Sequence, residues 1–364
     1  MGISEFMPLF KAKSPGCVYD SGPQKFRNQK MIAVDISIWC HSKFRQILPG
    51  FVQSREDESS SDDDSEDCDE EIWFIDWQGF QRRWFSQILD IGWSLLQEKI
   101  TPVFVFDGKA PKIKKDTHIE RENARKRLEE NLITARKAYF DSLGKFQRNE
   151  AREKYRKAFI GATRFKFSLM DDLKKLLLSI GFPVLQSVEE TDFLIAALSK
   201  EGLISAAFST DTDLCIYGID YLLTNYYQNQ FTILDRKVLL EESGLDDDQL
   251  VDLAILLSCD YNTRMPGVGK KTAFNLIEKF GKLEMIPAKY IQKPLRRTII
   301  RNRFKNIPSW KTLVDYRSSS IQDPDIDLLV FSKKNFLKNG FKTLQKYDLV
   351  NRWEDTLELV KEKI

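Results

Sequence analysis

The chain has 364 residues, 42% hydrophobic and 30% charged, with a formal net charge of +2, so it has room for about two or three domains of roughly 150 residues. No apolar run reaches the roughly 18 to 20 residues of a membrane helix, and the start MGISEFMPLFKAK has neither the basic nor the apolar region of a secretory signal, so an intracellular protein with no membrane partner is expected. Cys17, Cys40, Cys68, Cys215 and Cys259 are odd in number, widely spaced and without a C-x-x-C pair, which argues against a disulfide framework or a zinc site.

In chain order, Lys30 to Ile38 (KMIAVDISI) reads as a strand buried on both faces. From Val52 to Glu71, eleven acids face the single Arg55 and the run is Ser-rich; this is expected to be a disordered loop that buries too little surface to offset its ordering entropy. Without it the chain would carry +12. Two roles stay open for it, a passive solvated insert or an acidic segment that repels or mimics nucleic acid, with Ser59 to Ser61 open to phosphorylation. Residues 72–99 place Trp77, Trp84, Ile88 and Leu95 at helical spacing, as in a helix packed on a sheet. TPVFVFDG at 101–108 is a second buried strand. Between Lys112 and Lys166 seventeen Lys or Arg outnumber eight acids, in good helix formers, and the net +9 suits a phosphate-binding surface.

Beyond it, FSLMDDLKKLLLSIG is an amphipathic helix stopped by Gly181, PVLQ a short strand, and VEETDFLIAALSKEG a helix with acids at its start. LISAAFSTDTDLCIYG gives a strand and an acidic turn, and YLLTNYY with FTILD a strand pair. This alternation implies an α/β fold, a mostly parallel central sheet with helices on both faces. From Asp246 the pattern turns helical: LDDDQLVDLAILLSCDY and KKTAFNLIEKFG are joined by NTRMPGVG, and the tail from about Gln322 is helical but weakly patterned.

Several acids lie where ligands gather in an open α/β sheet, just beyond strand carboxyl ends: Asp35, Asp107, Glu190, Asp192, Asp211 and Asp213. One such acid is commonly only a turn former or helix cap. Six in one fold repel, and so either take up protons or bind hard cations; oxygen-only ligation suits Mg²⁺ or Mn²⁺. Two such ions can support in-line phosphoryl displacement, which also calls for cations on the phosphate. Lys114 and Arg121, seven residues apart, would share one face of a helix. The turn at Gly267 and Gly269, with Lys270 and Lys271 opening the next helix, offers backbone N–H groups to a phosphate, seven residues after Asp260.

Together, Met1-Gly2-Ile3, AVDISIW, VFVFDGKAPKIKK, the Glu190-x-Asp192 pair, STDTD and LLSCDYNTRMPGVGKKTA resemble the structure-specific 5′ nuclease family of flap endonuclease, exonuclease 1 and the xeroderma-pigmentosum-G repair nuclease. The likeness covers roughly residues 1 to 285. It is closest in motifs to the xeroderma-pigmentosum-G branch, with a compact spacing from Asp107 to Glu190. The resemblance implies a PIN-like nuclease core, a helical arch, two Mg²⁺ ions with Mn²⁺ able to substitute, and a helix-two-turn-helix holding K⁺. It implies metal ligation by Asp35, Asp107, Glu190, Asp192, Asp211, Asp213 and Asp260, and phosphate contacts by Lys114 and Arg121. DNA contacts are implied for Gly2, His41, Gly267, Gly269, Lys270 and Lys271, although His41 can equally be only a packed helix residue. The implied organisation is an amino-terminal nuclease region at 1–125 with the insert at 52–71, an arch at 126–165, an internal nuclease region at 166–285 with the helix-two-turn-helix at 250–281, and a carboxyl-terminal helical extension at 286–364.

Three departures from the family pattern stand out: Asp192 replaces the more usual Glu, Ser258-Cys259 replaces Gly-Ser, and the acidic insert falls where relatives carry a duplex-contacting loop. No sliding-clamp box is found. The expected activity is cleavage of DNA with junctions or flaps, in repair, replication or recombination, by a monomer in the nucleus, a host's nucleus if the chain is viral. A catalytically silent DNA-junction binding protein and a related metal-dependent ribonuclease are the alternatives.

Overall fold

A computed structural model describes residues 3, 5–27, 31–55, 72–109, 111, 114–262, 265–320, 332, 333 and 336–350. The chain divides into two compact units, one of residues 1–39, 89–114 and 174–364, the other of residues 40–88 and 115–173.

The first unit is built on a seven-stranded sheet. Its strands are β1 (Val18–Ser21), β2 (Met31–Asp35), β5 (Thr101–Phe106), β6 (Val184–Gln186), β7 (Ala206–Phe208), β8 (Tyr221–Tyr227) and β9 (Gln230–Asp235), in the spatial order β1-β9-β8-β7-β2-β5-β6. The five strands from β8 to β6 run parallel, and β9 and β1 add an antiparallel edge. All five residues of β2 are buried, as the two-faced apolar run predicts. The strand ends at Asp35 rather than Ile38, and α2 (Ile36–Ile47) follows directly. Ile36 is fully buried, so tertiary burial overrides the β preference of that β-branched residue. The chain leaves β2 toward β5 on one side and returns to β7 on the other. This reversal of direction opens a crevice at the carboxyl end of β2.

Helix α7 (Thr191–Lys200) lies against β2 and β5, with eight of its residues buried. Helix α10 (Asp247–Leu257) starts at a capping box made by Asp246 and Gln249, which satisfies two otherwise orphaned N–H donors. Helices α11 (Lys270–Phe280) and α12 (Arg297–Lys305) complete this side. Arg301 of α12 grips the buried Asp252 of α10 through two hydrogen bonds of 2.7 and 2.6 Å and also holds Glu284. Beyond residue 286, Ile300, Phe304, Trp310, Leu313 and Val314 pack into the core of this unit.

The second unit holds a helical pair, α4 (Lys115–Phe140) and α5 (Lys145–Ala162), and a two-stranded antiparallel sheet, β3 (Val52–Ser54) with β4 (Trp73–Ile75). Val52 and Trp73 are buried with Tyr139, Ala151 and Tyr155. Two expectations are corrected here. Val52–Ser54 is a strand and not the start of the acidic loop, because Val52 has apolar partners; residues 56–71 of that loop lie outside the described residues. Trp73–Ile75 is likewise a strand, and the helix α3 begins only at Trp77 and runs to Gln97. Among the described residues no helix is long and apolar enough to cross a membrane.

Candidate active site

The crevice gathers all seven acids singled out by sequence into the first unit. Asp35 ends β2 at 2% exposure; its Oδ2 accepts a 2.8 Å hydrogen bond from Ser209 and its Oδ1 one of 3.4 Å from the Ile38 N–H. Asp107 follows β5, and its Oδ1 accepts from the backbone N–H and hydroxyl of Thr191 at 2.9 and 2.6 Å. Glu190 is the N-cap residue of α7, and Asp192 lies in that helix's first turn. Asp211 and Asp213 follow β7, where the Asp213 N–H donates to Asp211 Oδ1 at 3.0 Å. Asp260 closes the set beyond α10.

Burial of so many like charges has a measurable consequence. Burial, then the charge of Asp107, pushes the Asp35 carboxyl up to about 8. Burial raises Asp192 and Asp213 well above the ordinary aspartate range, with Asp211 the next cause in both, and it raises Asp211 as well. Asp192 Oδ1 and Asp213 Oδ1 are buried without a hydrogen-bond partner. Buried acceptors left unpaired are costly, and each is a lone pair available to a cation.

One cation is already among them. The Lys114 side chain is only 9% exposed; its Nζ pairs with Glu190 Oε1 and lies 2.9 Å from Asp260 Oδ2. Burial works against this ammonium, but Glu190, Asp260 and Asp192 outweigh it and hold the amine well above its ordinary value. Lys114 directly precedes α4, with its ammonium turned to Glu190 and Asp260. Arg121 is exposed on α4 in the second unit. Among the described residues no three His, Cys, Asp or Glu side chains are drawn to one ligating point, which accords with Lys114 lying between Glu190 and Asp260. The donor set nonetheless fits divalent hard cations: it is oxygen-only, in excess of its cationic partners, and includes two orphaned buried oxygens.

Sequence reasoning missed the residues that hold Glu190. Tyr261 donates its hydroxyl to Glu190 Oε2 at 3.1 Å and meets the Tyr217 hydroxyl at 3.1 Å. Arg303 of α12 reaches Glu190 Oε2 at 3.4 Å and Glu189 Oε2 at 2.8 Å, its guanidinium 3.9 Å from the Phe193 ring centre. Tyr261 follows Asp260 directly and could have been noticed there; Arg303, 113 positions beyond Glu190, carries no local signal.

Of the other singled-out residues, Gly2 lies outside the described residues, although the neighbouring Ile3 N–H donates to Thr212 Oγ1 at 2.9 Å, against the acidic turn. His41 is exposed on α2, its ring 4.4 Å from that of Phe165. Gly267 turns with φ 72°, and Gly269 is the N-cap residue of α11. Lys270 lies 4.0 Å from Glu5, and Lys271 is exposed.

Comparison with known proteins gives a consistent result. Residues 81–128 match the XPG N-terminal domain and residues 181–260 the XPG I-region. Flap endonuclease 1 of Chlamydomonas reinhardtii is 30% identical over 319 residues, covering 84% of this chain and 72% of the relative. Two solved structures share the fold: the catalytic core of Rad2 in complex with DNA substrate, at TM-score 0.60 and 17% identity over 99% of this chain and 100% of that one, and flap endonuclease-1 from Methanococcus jannaschii, at TM-score 0.56 and 20% identity over 95% and 97%.

Proposed function

We infer the activity from a fixed premise: this chain belongs to the structure-specific 5′ nuclease family of the flap endonucleases and XPG proteins. It is a metal-dependent DNA nuclease that hydrolyses phosphodiester bonds. The observation that carries the chemistry is the convergence of seven carboxylates at the crevice mouth, four of them pushed toward protonation by burial and one another's charge. Such a cluster is stable at neutral pH only when protons or cations offset it.

The residues that would hold two Mg²⁺ or Mn²⁺ ions are Asp35, Asp107, Glu190, Asp192, Asp211, Asp213 and Asp260. Bound there, such ions supply a more acidic water and neutralise charge on the phosphate. The chain's own residues do the rest. Thr191 fixes the Asp107 carboxylate, Ser209 orients Asp35, and Tyr261 with Arg303 orients Glu190. Lys114, held by Glu190 and Asp260, would donate an ammonium N–H to an incoming phosphate oxygen, where a preorganised cation stabilises the developing negative charge. Arg121 is the second phosphate cation of this reading. The turn at Gly267 and Gly269, with Lys270 and Lys271, would hold duplex backbone through N–H groups and charge, carry K⁺, and read no sequence; Gly2 and His41 would contact DNA close to the junction. The working form is a monomer in the nucleus.

The test is incision of end-labelled 5′-flap, bubble, nicked and four-way-junction DNA with Mg²⁺, beside Asp211→Asn and an EDTA control. Incision near the junction that vanishes in both controls is expected. Junction binding without incision under any metal would identify a silent binding protein, and preference for matched RNA flaps a ribonuclease.

A further inference from the structure

A cleft of about 600 Å³ opens in the first unit on the flank of Asp107, lined by Gly108, Lys109, Gln186, Ser187, Val188 and the segment from Val314 to Ser318. Its volume lies within the range of about 300 to 1,000 Å³ in which small ligands are held. The walls are built by hydrogen bonds. Gly108 and Lys109 donate their N–H groups to Glu189 and Val188 carbonyls at 2.6 and 3.1 Å. On the other side Val314 bridges to Ser187, the Val188 N–H donates to the Leu313 carbonyl at 2.8 Å, and the Asp315 N–H to that of Gln186 at 2.8 Å. Leu313 to Asp315 therefore continue the sheet edge beyond β6, and a 3-10 turn follows at Tyr316–Ser318.

The lining has two kinds of surface. Lys109 and Arg317 are exposed, and their side chains make no ion pair or hydrogen bond among the described residues. The one acid of the cleft, Asp315, is engaged by the Arg317 N–H at 3.2 Å. Between the cations lie apolar faces: Val188 is 47% exposed, and the half-buried Tyr316 ring is anchored by its hydroxyl on the Lys311 carbonyl at 3.0 Å. Unpaired cations beside an anchored aromatic ring and an exposed aliphatic side chain suit a phosphate joined to a flat base. A space of about 600 Å³ suits one unstacked nucleotide.

We propose that this cleft is a subsite for a single unpaired nucleotide of the substrate strand, with its phosphate on Lys109 and Arg317 and its base against Tyr316 and Val188. The subsite rests on the nuclease reading of the adjoining acids, since it shares the Asp107–Lys109 turn with them. It would hold the strand on the side of Asp107 and so favour substrates with an unpaired nucleotide there over a simple nick.

The probe is 5′-phosphorylated dithymidylate carrying 4-thiothymidine, photocrosslinked to the full chain in Ca²⁺ and mapped by peptide mass spectrometry. Crosslinks are expected in 186–188 or 314–318. They should fall about tenfold in a Lys109→Ala/Arg317→Ala variant and about fivefold in Tyr316→Ala, yet stay within about twofold in Lys109→Arg/Arg317→Lys, with thermal melting confirming each fold. Undiminished crosslinking in both alanine variants, or crosslinks mapping only elsewhere, overturns the subsite. Flap incision by the wild-type chain in Mg²⁺ is scored separately. Incision without cleft crosslinks leaves the nuclease and removes the subsite; cleft crosslinks without incision of any DNA leave a nucleotide-binding cleft and remove the nuclease.

Discussion

Lys114 is the residue on which the metal-free crevice depends. Its ammonium lies between Glu190 and Asp260, so any cation entering that space competes with it. Lys114→Met keeps most of the side chain's length and removes the charge. Metal-free stability should fall by about 3–5 kcal/mol, because a buried ion pair is being broken from one side. Mn²⁺ affinity, read by calorimetry, should instead rise, because no cation has to be displaced. Turnover should drop about a hundredfold or more through loss of a preorganised cation. A lower Mn²⁺ affinity in the variant would remove Lys114 as competitor. Gly108 is constrained for a different reason: a Cβ there would sit 2.2 Å from the Ser187 carbonyl oxygen and 2.5 Å from that of Val188. Both are backbone atoms and cannot swing aside, so Gly108→Ala should cost about 3 kcal/mol or more by urea unfolding, at the top of the usual overpacking range. A cost below about 1 kcal/mol would mean that the turn tolerates movement.

At the scale of elements, α12 presents Arg303 to Glu190 and Glu189 and ties itself to α10 through Arg301. Arg303→Ala should raise the Mg²⁺ concentration needed for half-maximal incision several-fold, and Arg303→Lys should restore part of it; an unchanged Mg²⁺ requirement would reduce Arg303 to a packing residue. This coupling was not legible in the sequence. Strand-terminal acids are readable because a buried strand announces itself by a run such as MIAV or VFVF, and the next acid must then emerge at its end. Arg303 sits on a short helix with no repeated pattern, and its role exists only once α12 docks. Helix spacing in 72–99 also misled at Trp73, since aromatic residues favour strands as readily as buried helix faces, and only the pairing of Trp73 with Ser54 decides between them.

For the whole molecule, charge is segregated along the chain. The crevice acids belong to one unit, and most of the basic 112–166 stretch to the other. DNA affinity should therefore fall steeply with salt, as phosphate neutralisation by Lys and Arg releases counterions. The crevice acids make their own demand on pH. An unfolded aspartate titrates near 3.9, whereas folding pushes the Asp35 carboxyl up to about 8 and raises Asp192, Asp211 and Asp213. A carboxyl raised on folding favours the native state while it remains protonated, so its contribution is complete below about pH 4 and is lost as pH rises toward 8. The slope is at most about 1.4 kcal/mol per pH unit for each such group. Metal-free protein should thus lose melting temperature between about pH 5 and 8. Mg²⁺ or Ca²⁺, which bind the ionised carboxylates of the native state only, should restore more at pH 8 than at pH 6, with protons released on binding. Melting curves with EDTA and with each ion across that interval check the pair of effects. A metal-free melting temperature that rises through the interval would mean that the four carboxyls are already ionised without metal, and that Lys114 and Arg303 alone offset their charge.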